Sequence, residues 1–192
     1  MSFTMIRFKH TRVSQGIVSV IWTESSRQVL QNLLWSSLTL MGVIWRRRRT
    51  KLIALDMNEG EARVAVAHTK RIIEAGVSPG DIGIITPYSA QVGLLRELRL
   101  EDKNLTDVEI STVDGFQGRE KEAIIISMVR SNDTHEVGFL NDNRRMNVAV
   151  TRARRQSCIV CNIETVGKDE FLKRLVDHFE ANGENLSAME YA

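Results

Sequence analysis

Apolar and polar positions alternate between helical and strand spacing over most of the chain. Asn58, with a carboxylate three residues later, is typical of a helix start, and the amphipathic run after it ends at Gly76. The apolar run at 81–86 predicts a strand, and helical spacing resumes over 91–100. A strand between two helices is therefore the first structural unit that the pattern indicates.

The same alternation continues to the end of the chain. Further strands are predicted at 108–113, 123–129 and 157–160, and further helices at 144–154 and 169–181. This order predicts an α/β fold in which an open parallel sheet is covered by helices on both faces. We expect functional residues at the carboxyl ends of its strands.

Residues 1–56 lack this regularity, so we divide the chain into a divergent N-terminal segment, irregular or mis-framed, and a domain at 57–192. The apolar run from Val29 to Trp45 precedes four arginines and resembles a signal anchor. A membrane span needs about 20 largely apolar residues, and this run contains two amide and three hydroxyl side chains. We therefore expect no membrane contact, and a membrane anchor at 29–45 is the less favoured alternative.

Composition adds little to this picture. The chain has 192 residues, 43% of them hydrophobic and 26% charged, which suits one soluble globular domain. A net charge of +2 is too small to indicate nucleic-acid binding. Cys158 and Cys161 could form a redox pair or half a zinc site, but they lie in an apolar strand-like run. We expect two buried, reduced thiols that face opposite sides, as is typical of an intracellular protein.

The most informative segment is the polar loop at 111–121, which joins two predicted strands. Gly115 and Gly118 allow backbone amides to approach a phosphate group. Arg119 and Glu120 supply charge suited to the phosphate and ribose of a ligand. A plain turn is the alternative, because polar loops with glycine are common.

A second candidate is the arginine-rich segment at 141–155. Arg145, Arg152 and Arg155 recur at helical intervals, and on one helix they would share a face. Guanidinium groups suit phosphate oxygens, so the pattern favours an anionic ligand over a solvated basic face.

Three segments, 84–91, 111–121 and 144–155, resemble helicase motifs IV, V and VI, and they occur in that order. The chain from about residue 57 onward resembles the Upf-like branch of superfamily one, in particular its immunoglobulin mu switch-binding group. The resemblance implies a pair of RecA-like domains with ATP in the cleft between them and a single nucleic-acid strand across their tops. This chain would be the second domain.

The resemblance also implies individual roles for the charged residues. Arg152 would be the arginine finger on the γ-phosphate, with Arg145 and Arg155 as supporting charge. Arg119 and Glu120 would contact the ribose or the γ-phosphate. An arginine supplied across a domain interface suits phosphoryl transfer, because negative charge spreads over the transferred group.

Motif IV would place Tyr88 and Gln91 near the nucleotide, and Gly118 would shape the motif V loop. The resemblance assigns nucleic-acid contacts to four residues: Thr86, Pro87, Thr112 and Asp114. Some relatives carry a basic residue directly after the motif IV glutamine, whereas this chain has Val92.

The sequence contains no phosphate-binding loop of the form G-x-x-x-x-G-K-[ST]. The tetrad that begins at Asp169 mimics a Walker B motif, but it opens a predicted helix, so we interpret Asp169 as a cap. ATP and Mg²⁺ would therefore need a first RecA-like domain, and this chain alone should hydrolyse ATP negligibly. No metal site is predicted in the chain itself.

A shifted reading frame offers an explanation for the divergent segment. In relatives, this domain begins with a strand, a glycine-cysteine turn and an acidic segment. Read one nucleotide earlier, 33–51 could encode P-T-L-V-L-I-D-T-D-G-C-D-M-E-E-K-K-D-E, which resembles that missing element. Our hypothesis is that 29–51 arise from such a shift, which would remove the first strand and leave an exposed, aggregation-prone sheet edge.

The sequence thus favours the C-terminal motor domain of an ATP-dependent helicase, with 5′–3′ polarity implied by the resemblance alone. Expected partners are single-stranded DNA or RNA and a first RecA-like domain, in the nucleus, the cytoplasm or both. The alternative is a non-catalytic fragment that binds nucleic acid or a partner protein.

Overall fold

The computed structural model describes residues 18–22 and 57–191. The segment at 29–51, to which the shifted-frame hypothesis and the membrane alternative refer, lies outside the described residues. Within the described part, no helix combines the length and apolar character that crossing a bilayer requires.

Six strands of the described residues form one sheet. They are β1 (Val18–Trp22), β2 (Ile82–Thr86), β3 (Glu109–Thr112), β4 (Lys121–Ser127), β5 (Ala153–Val160) and β6 (Glu184–Leu186). Their order across the sheet is β3-β2-β4-β5-β1-β6. The four central strands, β2 to β5, are parallel, which confirms the expected α/β class.

Two antiparallel strands extend the parallel block. β1 pairs with β5, Ser19 opposite Ile159 and Trp22 opposite Gln156, and β6 pairs with β1. The expectation of an exposed edge beside β5 is therefore wrong, because part of the N-terminal segment covers it. That segment is irregular in its sequence pattern, yet it contributes a strand to the sheet.

Five α-helices, all within 57–191, cover the sheet. They are α1 (Glu59–Glu74), α2 (Ser89–Leu100), α3 (Asn143–Val150), α4 (Ile163–Val166) and α5 (Glu170–Asn182). The Asn58 side chain accepts a hydrogen bond from the backbone amide of Glu61 at 3.2 Å, as a helix cap should. Asp169 accepts one from the Leu172 amide at 2.9 Å, which confirms that it caps α5.

Helix α3 ends earlier than the sequence pattern predicts. It stops at Val150, and β5 begins at Ala153, where the prediction placed the last helical turn. Residues 153–160 pair in parallel with β4, so sheet pairing overrides the helical spacing of the arginines. Arg152 and Arg155 therefore do not share a helix face with Arg145, and that prediction is wrong.

Buried side chains form one core on each face of the sheet. α1 and α2 pack against one face, and α3, α4 and α5 pack against the other. Cys158 belongs to the first core and Cys161 to the second, so the two thiols face opposite sides as predicted. Both are buried, and burial raises the pKa of each thiol.

Candidate functional site

The motif V loop runs from one edge of the sheet to the other. β3 ends at Thr112, whereas β4, which runs in the same direction, begins at Lys121 at the opposite edge. We call residues 113–120 the crossing loop. The edge where β2 and β3 end is the carboxyl edge, and the edge where β4 and β5 begin is the amino edge.

Phe116 anchors the middle of the crossing loop. Its side chain is fully buried in the core beneath α3 and α5. Gly83 on β2 leaves room for it, because a Cβ atom at Gly83 would lie 2.9 Å from the Phe116 ring. The first half of the loop therefore belongs to the carboxyl edge, and the second half belongs to the amino edge.

Arg152 lies at the amino edge, in the turn between α3 and β5. Its Nε donates to the Val148 carbonyl at 3.0 Å, Nη1 to the Arg119 carbonyl at 3.5 Å and Nη2 to the Thr151 hydroxyl at 3.4 Å. No carboxylate among the described residues forms an ion pair with it. A guanidinium group has five N–H donors, so donors are left for a ligand.

Several other charged side chains surround Arg152. This cluster at the amino edge contains the cations Arg119, Lys121, Arg152, Arg154 and Arg155 and the carboxylates Glu109, Glu120 and Glu122. Partial burial alone would raise the pKa of Glu109. Hydrogen bonds from Arg119 and Lys121 outweigh burial and hold this pKa below its ordinary value. The five cations of this cluster outnumber its three carboxylates, so the cluster around Arg152 favours an anion.

Two residues predicted to contact the nucleotide are ion-paired at this edge. Arg155 Nε lies 2.7 Å from a Glu122 oxygen, and Arg154 Nε lies 3.3 Å from a Glu120 oxygen. The arginine side chains in these pairs are about half exposed, so each pair stabilises the fold by less than about 1 kcal/mol. A bound phosphate could therefore compete for these arginines.

The carboxyl edge contains the residues predicted to contact nucleic acid. The Thr112 hydroxyl accepts a hydrogen bond from the Gly115 amide at 3.1 Å. A side chain at Gly115 would collide with Ser111, because its Cβ would lie 2.5 Å from the hydroxyl oxygen. Thr86 is buried at the end of β2, and its hydroxyl accepts from the Tyr88 amide at 3.4 Å.

Arg145 also lies at the carboxyl edge, in the first turn of α3. It pairs with Asp114 at 3.3 Å and with Asp142 at 3.5 Å. Arg152 follows seven positions later, beyond the end of α3 at Val150. The five helical steps from Arg145 to Val150 alone advance the chain by about 7.5 Å toward the amino edge. The structure therefore does not bring Arg145 together with Arg152, although the sequence analysis grouped them.

Gln91 is fully buried beneath the carboxyl edge. Its Oε1 accepts from the Asn58 amide at 2.7 Å, and its Nε2 donates to the Asn58 carbonyl and to the Ser127 hydroxyl, both at 3.0 Å. A nucleotide contact would require these hydrogen bonds to break, because they occupy the amide group. Such a contact by Gln91 stays a prediction.

A family model described as an AAA domain matches residues 13–164. The chain belongs to this family. DNA-binding protein SMUBP-2 of Rattus norvegicus is 52% identical over 134 residues, which is 70% of this chain and 13% of that protein. The DNA polymerase alpha-associated DNA helicase A of Saccharomyces cerevisiae is 48% identical over 129 residues, 66% of this chain and 19% of that protein.

Regulator of nonsense transcripts 1 of Dictyostelium discoideum is 41% identical over 129 residues, 65% of this chain and 10% of that protein. The chain thus spans only 10% to 19% of the length of these three relatives. The matches confirm the resemblance to superfamily-one, Upf-like helicases and the RecA-like fold. The family match begins at residue 13, so the domain boundary that we place at 56/57 stays a prediction.

Sequence reasoning missed one buried acid of this AAA domain. Glu61 was interpreted as a capping residue, yet its Oε2 accepts from the Val129 amide at 2.7 Å and from the Ser127 hydroxyl at 3.0 Å. Burial raises its pKa to about 8. Val129 has φ +71°, an unusual conformation for a β-branched residue. The polar Ser127 at the end of an apolar strand was the available signal.

Proposed function

We propose that this AAA domain is the second motor domain of an ATP-dependent helicase, with the nucleotide at its amino edge and single-stranded nucleic acid at its carboxyl edge. The position of Arg152 carries this proposal, because its guanidinium has donors to spare and no carboxylate partner among the described residues. Two of the matched motifs, at 111–121 and at 144–155, which contains Arg152, reach both edges. One domain could therefore contact both ligands without overlap.

At the amino edge, Arg152 supplies a positive charge to the terminal phosphate of ATP. The chemistry of the donors fits a polyphosphate, because Arg119 and Arg155 lie beside it and Glu120 can accept from a ribose hydroxyl. The first RecA-like domain holds Mg²⁺ and the remaining phosphates. ATP bound there undergoes phosphoryl transfer to water, and an arginine supplied across the interface stabilises the charge that develops.

At the carboxyl edge, Thr112 and Asp114 at the β3 end and Pro87 at the β2 end face the strand. Thr86 is buried, so in this proposal it supports Pro87 from beneath instead of contacting the strand as the motif implies. Arg145 is assigned here rather than to the nucleotide, because its partners are Asp114 and Asp142. In this proposal the buried Tyr88 and Gln91 support this edge from below, in place of the nucleotide contact that motif IV implies for them. DNA and RNA are both candidate strands, and the 5′–3′ polarity is carried by family resemblance alone.

The decisive experiment measures strand-stimulated ATP hydrolysis by this chain together with a supplied first RecA-like domain. Arg152→Ala should lower kcat by roughly 10³-fold or more, as the removal of an arginine finger does, while the Kd for a single strand stays within about twofold. Arg152→Lys should recover little activity, because a lysine lacks the forked donor geometry. Arg174→Ala on exposed α5 is the matched control, since its ion pair spans 3.9 Å.

An unchanged kcat in Arg152→Ala would overturn the proposal. So would ATP hydrolysis by this chain alone at the rate of the assembled pair, since the sequence holds no phosphate-binding loop. Strand displacement on duplexes with a 5′ or a 3′ tail tests the polarity.

The missing phosphate-binding loop favours a second candidate, a non-catalytic fragment that holds nucleic acid or a partner protein. In that case strand binding would be weak and salt-sensitive, and no first domain would restore turnover. Both candidates act inside the cell, in the nucleus, the cytoplasm or both. Fluorescence anisotropy across a salt series, run beside the ATPase assay, separates them.

A further inference from the structure

Phe139 exposes an aromatic ring at the carboxyl edge. It lies in the short 3-10 turn Gly138–Asn141, which precedes α3. Among the described residues, Met57, Leu100 and Phe139 are the large apolar side chains that are exposed, and Phe139 is 56% exposed. Neither the packing of the core nor the proposed roles of the three motifs account for this ring.

The protein holds the Phe139 ring in place. The ring packs against Tyr88, with 5.7 Å between centroids and 60° between planes. The Tyr88 hydroxyl accepts from Arg130 at 2.6 Å and donates to the Val137 carbonyl at 3.4 Å. Gly138 has φ +56°, and a Cβ atom there would lie 2.5 Å from the Arg130 guanidinium. Glycine therefore lets this turn close over Arg130.

One arginine lies over the exposed ring, and a second precedes it in the chain. The Arg145 guanidinium lies 6.0 Å from the Phe139 centroid and also pairs with Asp114 of the crossing loop and with Asp142. Arg144, the preceding residue, is exposed, and no carboxylate among the described residues forms an ion pair with it. A phosphate chain that contacts these arginines would carry its bases past the ring. Aromatic rings beside arginines are a common way to bind single strands.

We propose that Phe139 stacks with one base of a single strand whose neighbouring phosphates contact Arg144 and Arg145. This inference rests on the proposed function, because it deepens the assignment of the strand to the carboxyl edge. Stacking does not depend on base identity, since every base has a π-face. Loss of one stacked base weakens single-strand binding by about 5-fold to 150-fold.

The test measures the affinity of the full chain for an oligothymidine strand and for its RNA counterpart by fluorescence anisotropy. Phe139→Ala should weaken binding by a factor in that range without changing the salt slope, because no phosphate contact is lost. Phe139→Leu, which keeps an apolar side chain without a ring, should bind the strand as weakly as Phe139→Ala. Phe139→Trp should retain the wild-type affinity. Leu100→Ala, an exposed leucine at the end of α2, is the matched control.

An abasic strand supplies the second arm. The wild-type chain should bind it more weakly than the normal strand, by the same factor that Phe139→Ala loses, and Phe139→Ala should not distinguish the two strands. If the wild type binds a single strand, but neither Phe139→Ala nor removal of a base lowers the affinity, the stacking inference fails and the proposed function stands. If the wild type binds no single strand, both fail.

Two further outcomes would also overturn the stacking inference. One is that Phe139→Ala still prefers the normal strand over the abasic strand by the same factor as the wild type, which would assign that preference to another residue. The other is lower ATPase activity with a supplied first domain at unchanged strand affinity, which would assign the ring to a protein contact.

Discussion

The amino edge and the carboxyl edge of the parallel sheet use arginine in different ways. At the amino edge the charged groups lie on the surface, and Arg152 is held by main-chain carbonyls. At the carboxyl edge Arg130 lies over the Tyr88 ring, with 5.0 Å to its centroid, and a buried network lies beneath. The first arrangement leaves guanidinium donors for an incoming anion. The second arrangement holds the side chains of the carboxyl edge in fixed positions.

Under the proposed function, this difference lets one small domain contact two ligands at once. The motif V and motif VI segments each start at the carboxyl edge and finish at the amino edge, the first through the crossing loop and the second through α3. Residues that are close in sequence therefore lie at opposite ends of the sheet. Substitutions at the amino edge should therefore change ATP hydrolysis, and substitutions at the carboxyl edge should change the affinity for a single strand.

The largest effect should come from the residue that anchors both halves of the crossing loop. Phe116→Ala should lower the free energy of unfolding by about 3–5 kcal/mol, because it leaves a cavity in a close-packed core. ATPase activity and strand binding should decline together, since both edges lose their support. Urea unfolding measures the change, and exposed Gln117→Ala should stay within about 0.5 kcal/mol of the wild type.

A smaller effect should follow the protonation of Glu61 beneath the carboxyl edge. Burial raises the pKa of Glu61 from 4.5 to about 8, so between these values the folded state binds a proton that the unfolded state releases. Stability should therefore fall as pH rises. Burial, and then the charge of Arg71, lowers the pKa of His68 from 6.5 to about 4, which makes stability rise with pH up to 6.5.

The two groups oppose each other below pH 6.5, so the fall should emerge between pH 6.5 and about 8. Its slope should approach about 1.4 kcal/mol per pH unit, or roughly 2 kcal/mol over the window. Glu61→Gln should flatten this part of the profile in urea unfolding at a series of pH values. A wild-type profile that is already flat there would show that Glu61 remains ionised when folded.

The smallest effect should come from Arg145→Ala at the carboxyl edge. Strand affinity should fall a few-fold, and the salt slope of binding should decrease by about 1, because one phosphate contact is lost. The kcat for ATP should stay near the wild-type value. Arg155→Ala at the amino edge is the matched control and should show the reverse. A kcat loss in Arg145→Ala at unchanged strand affinity would return Arg145 to the nucleotide.

Local signals predicted much of the fold. Asn58 and Asp169 were identified as caps, and the four central strands were placed within a few residues of their observed bounds. Caps and apolar runs are local, so the sequence carries them directly. The end of α3 was not predictable in this way. The helical spacing of the arginines continues past Val150, and only pairing of β5 with β4 overrides it.

The candidate site was predicted in its residues but not in its layout. Motif positions led to Arg152 and Thr112, but no local pattern indicates that they lie at opposite edges of the sheet. The burial of Gln91 and Glu61 was not predicted either. Polar residues on a helix are usually exposed, and their burial here depends on hydrogen bonds to Ser127, which lies 36 and 66 positions away.

The outermost strands of the sheet are both short. β6 has 3 residues and β3 has 4. A lateral strand offers its unpaired amides and carbonyls to any neighbouring chain, and the number on offer grows with its length. Two such short edge strands offer another molecule few backbone groups for hydrogen bonding. Copies of this domain should therefore resist joining side by side into longer sheets.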